Sequence, residues 1–310
     1  MGVPVQMAKI PARPHSRPAL SFLFMVDRHY AALVENYARL VQLPLPEKIR
    51  ALDPVETNPS SGPLVLIASP HPDDECLAGL LALRLRREVG ARILNVAFTL
   101  GSKPENKTRR TSELERSCKI LGFDNQILGL KNCRAATRVS DPEAWFEAQN
   151  AVTNLLLLYK PALILCPHLE DAHPAHVGTA LLIRDALRQK GDTPFHQPWI
   201  AEYEYWHPHH RPNLLLGAAP NDLALIMEAL AEHRGEVARN NYASRLPAWM
   251  IDNVRRGSER IRGSGSHAPD FPFGILYHLI DPEGNHLSPR IVGPDKEIGF
   301  KKNKQQLSLV

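Results

Sequence analysis

His71-Pro72-Asp73-Asp74-Glu75 puts an imidazole and three carboxylates side by side in the chain. Three negative groups beside one imidazole are costly to bury unless a cation sits among them. A divalent metal is the simplest such cation. Imidazole nitrogen with carboxylate oxygen is a donor set that zinc accepts. His71 and Asp74 stand three apart, and in a tight loop entering a helix that spacing lets both side chains face one point. A second cluster, Pro167-His168-Leu169-Glu170-Asp171-Ala172-His173-Pro174-Ala175-His176, repeats the spacing with His173 and His176.

Each cluster follows an apolar run, Leu64-Val65-Leu66-Ile67-Ala68 in one case and Ala162-Leu163-Ile164-Leu165-Cys166 in the other. Both runs read as buried strands that end in polar loops. Strands are expected at 64–69, 92–99, 126–130, 162–166 and 199–205. Helices are expected at 76–89, 108–121, 143–159, 175–189 and 222–239. This alternation predicts an α/β fold, a Rossmann-like, mostly parallel sheet with helices on both faces. In such sheets ligands bind outside the carboxyl ends of the strands, so both clusters should meet there in one metal site.

The pair of motifs resembles the PIG-L/LmbE family of zinc-dependent N-acetylglucosaminyl deacetylases. The family signature is roughly Ala-His-Pro-Asp-Asp-Glu, followed at a distance by His-Pro-Asp-His. Here the two stand as Pro70-His71-Pro72-Asp73-Asp74-Glu75 and His173-Pro174-Ala175-His176. The resemblance extends from about Leu64 to Arg184. It implies that His71, Asp74 and His176 hold the metal, with a position left open for water. Zinc is the default, and ferrous iron (Fe2+) also suits two histidines and one carboxylate.

Asp73 is then the general base, and a protonated His173 stabilises the oxyanion. Ala175 departs from the family, which has an aspartate there to orient and charge the histidine matching His173. Asp171 or Glu170 is expected to substitute. Glu75 is expected either to hold a ligand or a loop amide or, equally, to cap a helix. Arg110, in an Arg-x-x-Glu helix with Glu113, and Asn132, where the family has aspartate, are the expected substrate contacts. The resemblance implies a hydrolase that removes acetyl from an N-acetylglucosamine-type conjugate, either a small molecule or lipid-linked. The alternatives are a non-catalytic metal- or sugar-binding relative, or a hydrolase of another N-acyl amide. A nucleotide-binding reading fails because the loop after the first strand is acidic and has no Gly-x-Gly-x-x-Gly.

Composition agrees with an enzyme of this size. The chain has 310 residues, and its net charge of +4 does not point to nucleic acid. No run nears the roughly 18 apolar residues of a membrane span, and a cytoplasmic location is expected. Cys76, Cys118, Cys133 and Cys166 have no paired spacing, and reduced thiols are the expectation. Residues 1–62 read as an extension with one amphipathic helix capped by Asp27, carrying Tyr30, Leu33, Val34, Tyr37, Leu40 and Val41 on one face. Residues 63–294 read as the deacetylase-like domain, and 295–310 as a flexible tail. Homo-oligomerisation stays open. The histidines His207, His209 and His210 follow a strand and are expected to be exposed loop residues, with the pocket rim or a second metal site as the alternatives. Gly79 is expected to allow close helix–sheet packing.

Overall fold

A computed structural model describes residues 28–42, 62–189, 197–300 and 307–309. The expected cap Asp27, the proline-rich segment before it and the linker through residue 61 lie outside the described residues. Arg28–Gln42 form α1. Its apolar residues Tyr30, Leu33, Val34, Tyr37 and Leu40 lie on one face and are exposed.

The second unit begins with β1 (Leu64–Ser69), α2 (Asp74–Leu77), α3 (Leu80–Val89), β2 (Arg92–Ala97), α4 (Lys107–Leu121) and β3 (Asp124–Ile127). It continues with α5 (Thr137–Ser140), α6 (Pro142–Tyr159), β4 (Leu163–Pro167), α7 (Pro174–Arg188), β5 (Trp199–Tyr203) and β6 (Leu214–Ala218). Next come α8 (Pro220–Ala231), α9 (Arg234–Arg239), α10 (Tyr242–Arg262), β7 (Phe273–Ile280), β8 (Arg290–Val292), β9 (Ile298–Phe300) and β10 (Leu307–Leu309).

The main sheet runs β3-β2-β1-β4-β5-β7-β6-β8. From β3 to β5 every pairing is parallel. β7 then lies antiparallel to both β5 and β6. β1 is central, and all six of its residues are buried, as expected of a parallel strand covered on both faces. Its side chains alternate between faces. Val65 and Ile67 pack with α3, α4, α8 and α10, whereas Leu66 and Ala68 pack with α6 and α7. The chain steps from β1 outward to β2 and β3, then returns to place β4 on the other side of β1. That reversal opens a crevice between the carboxyl ends of β1 and β4.

The mostly parallel sheet with helices on both faces is therefore present, and the differences from expectation are local. The helix read at 76–89 is two pieces, broken at Ala78-Gly79. A Cβ at Gly79 would run into the Glu75 carbonyl. The glycine thus serves a tight turn between helices rather than helix–sheet contact. The helix read at 222–239 also breaks, at Glu232-His233. The tail from 295 is not simply flexible, since β9 and β10 pair antiparallel and Ile298 and Leu307 are buried. Both strands carry apolar residues that the lysine-rich surroundings mask in sequence. No helix among the described residues is long and apolar enough to cross a membrane.

Candidate metal and catalytic site

β1 delivers the first cluster directly to the crevice. The His71 backbone N–H donates to Asp74 Oδ2 at 2.9 Å, which pins the turn. Asp73 adopts φ 114° and ψ −27°, a left-handed backbone rare for a residue with a side chain. Its carbonyl accepts from the N–H groups of Cys76 and Leu77 and starts α2. β4 delivers the second cluster. His173 caps α7, its Nδ1 accepting from the Ala175 N–H at 3.3 Å. His176 lies one turn in and is buried.

The structure brings together all five residues expected to bind metal or carry out catalysis. His71 Nδ1 lies 3.7 Å from Asp74 Oδ2, and His176 Nε2 lies 3.5 Å from Asp74 Oδ1. The rings of His71 and His173 are 5.0 Å apart, as are those of His173 and His176. Ligand atoms of His71, His173 and His176 lie within 4.8 Å of one another, so His173 also faces the point where a cation would sit. Two imidazoles and a carboxylate converging from separate strand ends suit a divalent metal. Asp73 completes one wall of a cavity of about 240 Å³ shared with these residues.

The electrostatics separate the two aspartates. Burial, and next the Asp74 carboxylate, push the Asp73 carboxyl well above the usual range. Burial acts on Asp74 as well, but the His176 imidazole and then the hydrogen bond from His71 bring it down to about 2. One carboxylate is thus suited to taking a proton and the other to staying ionised. His173 is lowered to about 4, first by burial and then by its neighbours His71 and His176.

Asp171 does not serve His173 as expected. Its Oδ1 accepts the His173 backbone N–H at 2.7 Å, while its Oδ2 faces His176 Nδ1 at 3.5 Å. Asp171 therefore sits beside the His176 ring instead, where a carboxylate commonly orients an imidazole that binds metal. Among the described residues no carboxylate bonds the His173 ring, because Ala175 offers none and Glu170 points elsewhere, into a neighbouring cavity. Burial therefore disfavours the expected imidazolium first, with no carboxylate bonded to the ring to offset it.

Arg110 and Asn132 both line the cavity. Arg110 is nevertheless committed to backbone, donating to the carbonyls of Pro72 and Leu100 at 3.2 Å each. The Asn132 side chain accepts from the Arg134 N–H. Glu75 is fully buried and accepts the Asp73 N–H at 2.9 Å, the loop-amide role expected of it. Residues singled out by the structure alone are His233, Glu236, Arg239, Thr99, Lys131 and Arg134. Lys131 and Arg134 come from the loop that carries Asn132, whereas no local pattern marks the others, which reach the site from a loop and a helix far apart in sequence.

Of the Trp206-to-His210 cluster, only Trp206 lines this cavity. His209 turns away to stack on His278 at 4.7 Å and to meet Glu202 Oε2 at 3.1 Å. All four cysteines are buried and free. Burial pushes Cys133 up to about 11 and Cys166 up to about 12, so neither thiol is poised to ligate or react.

Residues 66–187 match the PIG-L family model, described as GlcNAc-PI de-N-acetylase. That segment contains both clusters, all of β4 and most of β1, so the class resemblance read from the motifs holds there. Among solved structures, N,N'-diacetylchitobiose deacetylase from Pyrococcus horikoshii is similar, with TM-score 0.53 and 17% identity, over 85% of this chain and 97% of that one. A conserved protein from Thermus thermophilus has TM-score 0.53 and 20% identity, over 70% and 94% of the two chains. GalB, the 4-carboxy-2-hydroxymuconate hydratase from Pseudomonas putida, has TM-score 0.53 and 18% identity, over 70% and 96%. At such identities the likeness is one of fold, and a hydratase among these structures shows that the fold does not fix the reaction. No curated protein sequence matches the chain.

Proposed function

We propose that the protein is a metal-dependent hydrolase that removes acetyl from an N-acetylglucosamine-type amino-sugar conjugate, releasing acetate and a free amine. The observation that carries this reading is the convergence of His71, Asp74, His173 and His176 with a high-pKa Asp73 on one cavity, inside the PIG-L segment. His71, Asp74 and His176 would hold the metal, zinc by default and ferrous iron as the other candidate. When bound, the cation supplies Lewis-acid polarisation of the amide carbonyl and eases deprotonation of water.

The remaining work falls to this chain's own side chains. Asp73 takes the proton of the attacking water and hands it to the leaving amine. His173, neutral with its Nδ1 occupied by the Ala175 N–H, presents Nε2–H to the carbonyl oxygen as negative charge develops. Thr99, Ser102, Lys131, Asn132 and Arg134 offer polar groups to sugar hydroxyls from the cavity wall. We take residues 63–294 as the hydrolase unit, and the cytoplasm as its location on account of the free thiols.

The test is a panel of N-acetylglucosaminyl conjugates incubated with zinc-loaded protein, scored for both amine and acetate. Equal release of the two from at least one conjugate is expected. Release from none of them, by protein with full metal content, would refute the reading. A second reading, a non-catalytic metal- or sugar-binding relative, draws on the missing carboxylate beside His173. It requires that conjugates bind without acetate release.

A further inference from the structure

His233 lies outside the segment that matches the family, at the break between α8 and α9, and is fully buried. Its Nε2 meets Glu75 Oε1 at 2.6 Å. Ser117 Oγ donates to the same oxygen at 2.6 Å. The other oxygen, Glu75 Oε2, accepts the Asp73 N–H at 2.9 Å. On the opposite side, Arg110 Nη2 donates to the Pro72 carbonyl at 3.2 Å, and Glu236 backs Arg110 at 3.6 Å. The Pro72 carbonyl and the Asp73 N–H are the two ends of one peptide group. That group is therefore clamped at both ends, and both backing residues, His233 and Glu236, come from a single corner three residues apart.

We propose that this corner is a positioning device, in which His233 acting through Glu75 and Glu236 acting through Arg110 fix the Pro72–Asp73 peptide so that Asp73 faces the cavity. The backbone of Asp73 calls for such a device. A non-glycine residue held at φ 114° is strained and persists only when its surroundings over-determine it. Freed of the clamp, the peptide would relax toward negative φ and carry the Asp73 carboxylate with it. Asp74 would be held regardless, through its own bond to the His71 N–H.

The same residues invite another assignment, because ligand atoms of Glu75, Cys76 and His233 lie close enough to surround an ion. The geometry argues against it. Ligands about 2.0–2.2 Å from a tetrahedral zinc sit more than about 3 Å from each other, whereas His233 and Glu75 are in hydrogen-bond contact. Both Glu75 oxygens already hold donors.

The effect on turnover rests on the hydrolase reading above, but the effect on the backbone does not. Full-length His233→Leu, His233→Gln and Glu236→Gln are compared with wild type for crystal structure, metal content, melting temperature and, on a substrate found in the panel, kcat and KM. His233→Leu should move Asp73 out of positive φ while His71, Asp74 and His176 stay in place with full metal. It should lower kcat by about 10- to 100-fold with little change in KM. His233→Gln keeps an N–H toward Glu75 and should recover most of the loss. In an Asp73→Asn background, His233→Leu should cost nothing further, which a general loss of packing would not reproduce.

Asp73 remaining near φ 114° in His233→Leu overturns the proposal, as does an equal added loss in the Asp73→Asn background. Should His233→Leu fail to fold, the structure and kcat of Glu236→Gln decide, with an unmoved peptide and wild-type kcat there counting against it. Should wild type release no acetate, the hydrolase reading falls and the Asp73 backbone alone judges the clamp.

Discussion

At the scale of single residues, two neighbouring aspartates have been given opposite work. Asp73 faces the cavity, with a carboxyl raised by burial and by Asp74, while the His176 and His71 contacts keep Asp74 ionised. Asp73→Asn is nearly isosteric but accepts no proton. It should keep its metal and lose about 10²-fold or more in kcat. Elemental analysis alongside kinetics checks this, and metal content falling in step with activity would make Asp73 a ligand instead. His173 supplies the second prediction. It sits at about 4 because burial and two imidazoles oppose its proton, and the more distant carboxylates of Asp74 and Asp171 do not offset them. A carboxylate installed by Ala175→Asp favours the imidazolium and so raises this value. Below the raised value the protonated, stronger donor should then lift kcat/KM above wild type, whose His173 is neutral from about pH 4 upward. A profile that matches wild type throughout would mean that the installed carboxylate does not charge His173.

At the scale of elements, the site depends on how closely α7 approaches the loop before α5. Gly178, close beyond the ligand His176 on α7, has no room for a Cβ, which would run into the Cys133 carbonyl and crowd the Ala135 nitrogen. The Ala135 N–H also donates to the Pro174 carbonyl, tying the loop to the helix start. Alanine is the better helix former by about 1 kcal/mol. Here that gain is outweighed, because relief requires backbone movement and overpacking typically costs about 1–3 kcal/mol. Gly178→Ala should therefore melt a few degrees lower than wild type. KM should rise as well, because Asn132 and Arg134 shift with the loop. An unchanged melting temperature would show that α7 can retreat freely.

At the scale of the whole molecule, the metal would join loops from β1 and β4 on either side of the topological switch. Any cation that binds only the folded state adds about 2.7 kcal/mol at roughly a hundred times its dissociation constant. Chelation should thus lower the melting temperature by several degrees, zinc should restore it, and His71→Ala should abolish the difference. The sequence by itself determined the apolar strands β1 and β4, the parallel core, and the two clusters at their ends, whose His71, Asp73, Asp74, His173 and His176 the fold brings to one cavity. It could do so because buried parallel strands are continuous apolar runs and because the ligands within each cluster are spaced three apart. Other features were decided only by tertiary structure: the antiparallel β7 between β5 and β6, the pairing of β9 with β10, the service of Asp171 to His176 rather than His173, and the reach of His233 to Glu75. Those last two residues are 158 positions apart in the chain. No local spacing encodes such a contact, which arises only when α8 packs against α2 and α4 and brings its far end beneath the catalytic turn.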